Sequence, residues 1–114
     1  MTDTTELGPE DGKLITLARA SRARNAAPEG AAVRDETGRT YVATTVELRS
    51  LRLSALQAAV AAAVSSEASA LEAAVVVTDA KELTEDDRAV ADDLKTQVTV
   101  VAAPDGVPTS IVQR

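Results

Sequence analysis

Apolar positions recur at helical spacing in three segments of the chain. Residues 11–25 carry a modest apolar stripe, and the Pro-Glu-Asp sequence at its start suits a helix N-terminus. Residues 51–66 are apolar on nearly every face, which predicts a central helix that is buried on several sides. Thr84 precedes three consecutive acids and suits an N-cap, so a third helix is predicted from there to residue 94.

Short runs rich in β-branched residues alternate with these helices. Residues 31–34 and 39–47 flank an Asp-Glu-Thr-Gly turn, the pattern of a β-hairpin. Apolar runs rich in valine at 71–79 and 97–102 predict strands covered on both faces, and residues 107–112 are a candidate edge strand. The order α-β-β-α-β-α-β, followed by that candidate strand, predicts an α/β fold. We expect a three-layer α/β/α sandwich with a mixed sheet.

The chain is 114 residues long, which is the size of one domain. Residues 1–10 are polar and offer little apolar surface, so we predict a disordered N-terminal lead there and one folded domain over residues 11–114. The lead is too acidic for a signal peptide, and no apolar run approaches the ~18 residues of a transmembrane helix. We therefore expect a soluble cytoplasmic protein that does not bind membranes.

The composition contains no histidine and no cysteine. This excludes Ser-His-Asp and Cys-His catalysis, disulfides and the usual zinc sites. A metal would need carboxylate ligands such as Glu85, Asp86 and Asp87, although acids in the first turn of a helix ordinarily serve its dipole. We expect neither a metal nor another cofactor. The net charge of −6 and the lack of aromatic stacking residues argue against nucleic-acid binding.

Two small motifs lie around the predicted hairpin. Residues 28–33, Pro-Glu-Gly-Ala-Ala-Val, lead from a loop into a strand of small residues, and residues 38–41, Gly-Arg-Thr-Tyr, turn into the next strand. Together with the order of elements, these motifs resemble the cytidine deaminase family over roughly residues 13–103. The resemblance implies the cytidine deaminase fold, and it implies assembly as dimers or tetramers around the central helix.

The resemblance also assigns the positions of a nucleoside site. Thr45 and Glu47 fall where the family has an Asn-x-Glu pair that holds the ribose. Ser54 and Leu56 fall where the family has Cys-Ala-Glu or His-Ala-Glu, the first zinc ligand and the proton-shuttling glutamate. Residues 83–88 take the place of Pro-Cys-x-x-Cys without a cysteine. The resemblance therefore implies a zinc-less, degenerate family member, a pseudoenzyme with no catalytic residue.

Three functions are compatible with these residues. The first is a non-catalytic protein that acts through self-association and binding to a protein partner. The second is a nucleoside- or nucleotide-binding protein that uses a remnant crevice at Thr45, Glu47 and Ser54. The third, an active cytidine deaminase, needs a metal held by carboxylates alone. The structural alternatives are a surface residue at a strand end for Glu47 and a helix N-cap or small packing residue for Ser54.

The central helix further predicts a homo-oligomer, either a dimer or a tetramer. No charged residue lies between Arg52 and Glu67. Four aliphatic side chains suffice to cover one face of a sheet, namely Leu53, Leu56, Val60 and Val64. Small residues remain on the other sides of the helix, and such uncharged strips usually mark interfaces. The alternative is that the N-terminal helix covers the strip within one chain.

Overall fold

A computed structural model describes residues 7–114 of the chain. The described residues form three helices and seven strands. The elements, in chain order, are α1 (Pro9–Asn25), β1 (Gly30–Asp35), β2 (Thr40–Thr44), β3 (Val46–Glu47), β4 (Arg52–Leu53), α2 (Ala55–Ser65), β5 (Leu71–Val77), α3 (Glu85–Asp93), β6 (Val98–Ala102) and β7 (Pro108–Gln113). This order confirms the predicted α/β arrangement, including the last strand, and adds the short strands β3 and β4.

Five strands form one mixed sheet in the order β2-β1-β5-β6-β7. Strands β5 and β6 are parallel, and the other neighbours in this sheet are antiparallel. The chain crosses from β5 to β6 through α3, as parallel neighbours require a crossover. Strands β3 and β4 pair with each other as a separate two-stranded hairpin.

Helices cover both faces of the sheet, as predicted. On one face α1 packs through Leu14 and Ala18 against alternate residues of β1 and β5. On the opposite face α2 packs through Leu56 and Val60, and α3 contributes Ala91. The layers approach closely because the core residues are small: a Cβ atom on Gly30 would collide with the carbonyl oxygen of Ala18. No helix within residues 7–114 is long and apolar enough to cross a bilayer.

The first helix begins earlier than residue 11, the predicted start of the domain. Residues 1–6 of the predicted disordered lead lie outside the described residues. Leu7, however, packs against the core beneath α1, and the helix starts at Pro9. Proline at the first helical positions and acids in the first turn favour this start. The first two residues of α1 thus precede residue 11, while the division into a lead and one folded domain stays a prediction.

The central helix begins later than predicted. Residues 52 and 53 are extended in β4, and α2 starts only at Ala55. The amide of Leu48 donates to the carbonyl of Leu51 at 2.8 Å, which closes the turn between β3 and β4. The predicted strand over residues 39–47 is correspondingly split, because the chain leaves the main sheet after Thr44 to form this hairpin.

Candidate functional site

The N-termini of α2 and α3 meet on one face of the sheet. The hydroxyl of Ser54, the N-cap of α2, donates a hydrogen bond of 2.5 Å to Oδ1 of Asp87, which lies in the first turn of α3. Elements that are 33 residues apart in sequence are thereby joined through two side chains. The structure confirms the N-cap alternative for Ser54.

Each of the two helices also carries a local cap. Ser54 Oγ accepts from the amide of Gln57 at 3.0 Å, and the Gln57 side chain accepts from the amide of Ser54 at 2.9 Å. These two bonds form a capping box. Thr84 Oγ1 accepts from the amide of Asp87 at 3.1 Å, as predicted for an N-cap. Ser54, Thr84 and Asp87 therefore form one hydrogen-bonded chain across both helix N-termini.

Asp87 is buried, with 1% of its surface exposed. Burial raises the pKa of its carboxyl, the Ser54 hydroxyl lowers it, and the charge of Asp86 raises it again, so the pKa lies above its usual range. Within residues 7–114, no basic side chain forms an ion pair with Asp87. The positive ends of the helix dipoles of α2 and α3 are therefore the charges that stabilise the Asp87 carboxylate.

The two predicted ribose-binding residues lie on the hairpin that precedes α2. Register pairs Val46 with Leu53, so Thr45 and Ser54 lie at the same end of the hairpin, one residue beyond that pair. The hydroxyl of Thr45 is buried and has no hydrogen-bond partner among the described residues. Glu47 is exposed and lies opposite Arg52, one step toward the turn. In this register Thr45 and Ser54 adjoin the same end of the hairpin on opposite strands, whereas Glu47 lies on the surface.

Leu56 is fully buried between α2 and the sheet. This residue takes the position at which the resemblance places the proton-shuttling glutamate. A leucine that packs in the core can neither donate nor accept a proton. The arrangement at the start of α2 therefore supplies a helix cap and a core contact, with no acid–base group at residue 56.

Two surface cavities of about 500 Å³ lie away from this hairpin. One, of about 520 Å³, is lined by residues of α3, β6 and β7, including Arg88 and Val101. The other, of about 490 Å³, lies between α1 and the turn that joins β1 to β2. Neither is lined by Thr45, Glu47 or Ser54. The three predicted crevice residues therefore do not line either of these cavities.

Known proteins share the fold of this chain. Residues 7–106 match the family model described as cytidine deaminase-like, and the chain belongs to this family. The structure is similar to cytidine deaminase from Burkholderia pseudomallei, with a TM-score of 0.76, 21% identity and coverage of 89% of this chain and 90% of that chain. Cytidine deaminase from Mycobacterium leprae gives a TM-score of 0.70, 20% identity and 94% coverage of each chain. No curated protein sequence matches this chain.

The residues at the family's zinc position do not fit a zinc ion. In the alignment that the resemblance implies, Thr84 and Asp87 fall at the two cysteine positions of Pro-Cys-x-x-Cys, and Ser54 falls at the first ligand position. Both hydroxyls already serve helix caps, which leaves Asp87 as the one ionisable donor. In the part of the chain that the structure describes, no group of three or more acidic side chains could hold a metal ion.

Local sequence does not distinguish Asp87 from its two acidic neighbours, because all three suit the dipole of the helix N-terminus. In the structure Glu85 and Asp86 are exposed, whereas Asp87 is buried. The sequence signal that could have singled out Asp87 is its spacing from Thr84. Asp87 lies three residues after Thr84, as Gln57 lies three residues after Ser54, and this is the spacing between an N-cap and the N3 residue of a helix. Only the packing of the two helices shows that these starts lie together.

Proposed function

We propose that this chain is a non-catalytic member of the cytidine deaminase-like family that acts through self-association and binding to a protein partner. The observation that carries the proposal is the hydrogen-bonded chain of Ser54, Thr84 and Asp87 at the three ligand positions. Leu56 at the glutamate position supports it, because the proton shuttle is missing as well. A chain that keeps the fold but lacks the zinc ligands and the proton-shuttling glutamate is expected to act by binding through its surface rather than by catalysis.

The purified protein is expected to carry no stoichiometric zinc and to leave cytidine unchanged. The reason is the absence of histidine and cysteine from the sequence, together with Leu56 in the acid–base position. Elemental analysis of the purified chain and an absorbance assay of cytidine deamination test the expectation. One zinc per chain, with turnover that a chelator abolishes, would contradict it.

The exposed side of α2 supports self-association. Ala61, Ala62 and Ser65 are exposed, and no charge lies between Arg52 and Glu67. Val64, predicted to cover the sheet, is 48% exposed instead and adds an apolar side chain to this surface. Helix α1 packs on the opposite face of the sheet, which argues against the alternative that it covers the strip. A second copy of α2 is a partner that small side chains can approach closely.

Ala62→Glu is expected to dissociate the oligomer. A carboxylate placed in a dry contact between alanines has no partner, so its desolvation is not compensated. Light scattering on a size-exclusion column should then report a mass near 11.8 kDa for the variant and a multiple of that mass for the wild type. Ala20→Glu, at an exposed alanine of α1, is the matched control and should leave the oligomer intact. A wild-type mass near 11.8 kDa at micromolar concentration would refute the self-association.

The second candidate function is binding of a nucleoside or nucleotide. The specific observation that favours it is the buried, unpartnered hydroxyl of Thr45 at the family's ribose position. A ligand that binds only the native state raises the melting temperature, and it does so more the tighter it binds at a given concentration. A thermal-shift screen of nucleosides and nucleotides therefore separates the two functions. A rise that Thr45→Val abolishes favours the ligand, and an unchanged melting temperature favours the non-catalytic partner-binding protein.

A further inference from the structure

We infer that the Ser54–Asp87 hydrogen bond takes the structural place of the family's zinc, and that positions 54, 84 and 87 still surround one point where three cysteines would bind a metal. The inference goes beyond the proposed function, because it concerns what holds the starts of α2 and α3 together. It rests on the disagreement between the family's ligand set and the residues present here.

The starts of α2 and α3 lie together, so their helix dipoles interact. The N-terminus of each helix carries a partial positive charge, and two such ends that meet repel each other unless an anion lies between them. The first turn of α2 contains no acidic residue, whereas that of α3 contains Glu85, Asp86 and Asp87, of which only Asp87 is buried. Since Asp87 bonds to Ser54, the N-cap of α2, its carboxylate lies at both helix ends. One buried carboxylate thus carries the same net charge as a Zn²⁺ ion together with three thiolate ligands.

Both Ser54 and Thr84 are hydrogen-bonded to Asp87. Ser54 Oγ lies 2.5 Å from Asp87 Oδ1, and Thr84 Oγ1 lies 3.1 Å from the Asp87 amide nitrogen. Thiolates at ~2.3 Å from a tetrahedral zinc lie about 3.8 Å apart. The carboxylate oxygen of aspartate is one bond further from the backbone than the sulfur of cysteine. A cysteine at position 87 therefore withdraws from position 54 and leaves room for an ion between them.

The structural role of the bond is tested by a double-mutant cycle in urea unfolding. Ser54→Ala and Asp87→Ala should each lower the unfolding midpoint, and the double variant should lose clearly less than the two single losses added together. Gln57→Ala is the matched control, since it breaks the capping box of α2 without touching Asp87. Its loss should add to that of Asp87→Ala. Additive losses for Ser54 and Asp87 would refute the inference.

The geometry is tested by a triple variant, Ser54→Cys with Thr84→Cys and Asp87→Cys. We expect one zinc or cobalt ion per chain, thiolate–cobalt absorption, and a melting temperature that a chelator lowers in the variant and leaves unchanged in the wild type. The control variant is Ser54→Cys with Glu85→Cys and Arg88→Cys, which keeps the spacing but replaces the buried position 87 by the exposed position 88. Equal metal uptake by the two variants would overturn the inference. A triple variant that folds only with metal supports it.

The outcomes are distinguishable from those that test the proposed function. Metal uptake by the triple variant leaves Leu56 in place, so no deamination is expected from it. If the triple variant fails to bind metal, this inference fails, but the proposals that the wild-type chain self-associates and lacks deaminase activity are unaffected. Conversely, a monomeric wild-type chain would refute self-association while the coupling between Ser54 and Asp87 remained measurable.

Discussion

Replacing Leu56 by glutamate is expected to unfold the protein rather than to restore a deaminase. The Leu56 side chain is fully buried in the cluster between α2 and the sheet. Removing such a side chain costs ~2–5 kcal/mol through lost burial and a residual cavity. A charged carboxylate adds a desolvation penalty of several kcal/mol, because no cation pairs with it there. Since native domains are stable by only ~5–15 kcal/mol, the sum removes most or all of the free energy of unfolding.

Circular dichroism during heating at neutral pH measures this effect, and a missing unfolding transition is the expected result for Leu56→Glu. Leu56→Met is the matched control, since a volume-conserving apolar exchange usually costs less than ~1.5 kcal/mol. The loss of stability caused by Leu56→Glu should be smaller at acidic pH, because protonation removes the buried charge of the introduced glutamate. A Leu56→Glu variant with the melting temperature of the wild type would show that this position faces an open, hydrated crevice.

The strands were more predictable than the boundaries of the central helix. An unbroken β-branched run such as residues 75–77 favours a strand whatever its neighbours are. At residues 51–54 apolar periodicity is ambiguous, because Leu51 and Leu53 fit a helical face as well as a short strand. The cap at Ser54 decides the start, since its side chain bonds the Gln57 amide only if the helix begins after it. Tertiary pairing of β3 with β4 then fixes the preceding residues as extended.

Only part of the arrangement at the starts of α2 and α3 could be predicted from the sequence. Order of elements sufficed to place Ser54 at the start of the central helix. Val64 is exposed because of the orientation of α2 about its own axis, and apolar spacing alone does not specify this orientation. The burial of Asp87 depends on two helix N-termini that meet across 33 residues of sequence. Local sequence predicts that an acid in the first turn of a helix is exposed to solvent. Asp87 is buried only because the N-terminus of α2 packs against that of α3.

Asp35, at the end of β1, is expected to make folding sensitive to acid. Its carboxylate is 2% exposed and accepts four hydrogen bonds. Oδ1 accepts from the Thr37 amide at 2.9 Å, the Thr37 hydroxyl at 2.7 Å and the Arg39 amide at 3.0 Å, and Oδ2 accepts from the Tyr41 hydroxyl at 3.0 Å. These bonds hold the turn that joins β1 to β2. Burial on its own raises the pKa of Asp35, but the hydrogen bonds from Thr37, Tyr41 and Arg39 outweigh it and lower the pKa from 3.8 to about 2.

The sign of the pH dependence follows from this lowered pKa. A carboxyl whose pKa is lower in the folded chain contributes stability above its unfolded pKa, and that contribution is lost as the pH falls through the folded pKa. The loss is therefore expected between about pH 4 and pH 2. Asp35→Asn, which keeps one acceptor oxygen but no charge, should lower the melting temperature by several degrees at pH 7 and by progressively less toward pH 2. Tyr41→Phe removes one of the four bonds and should cause a smaller loss at neutral pH. If wild type and Asp35→Asn differ by the same amount at pH 7 and pH 2, the carboxylate charge does not stabilise the turn.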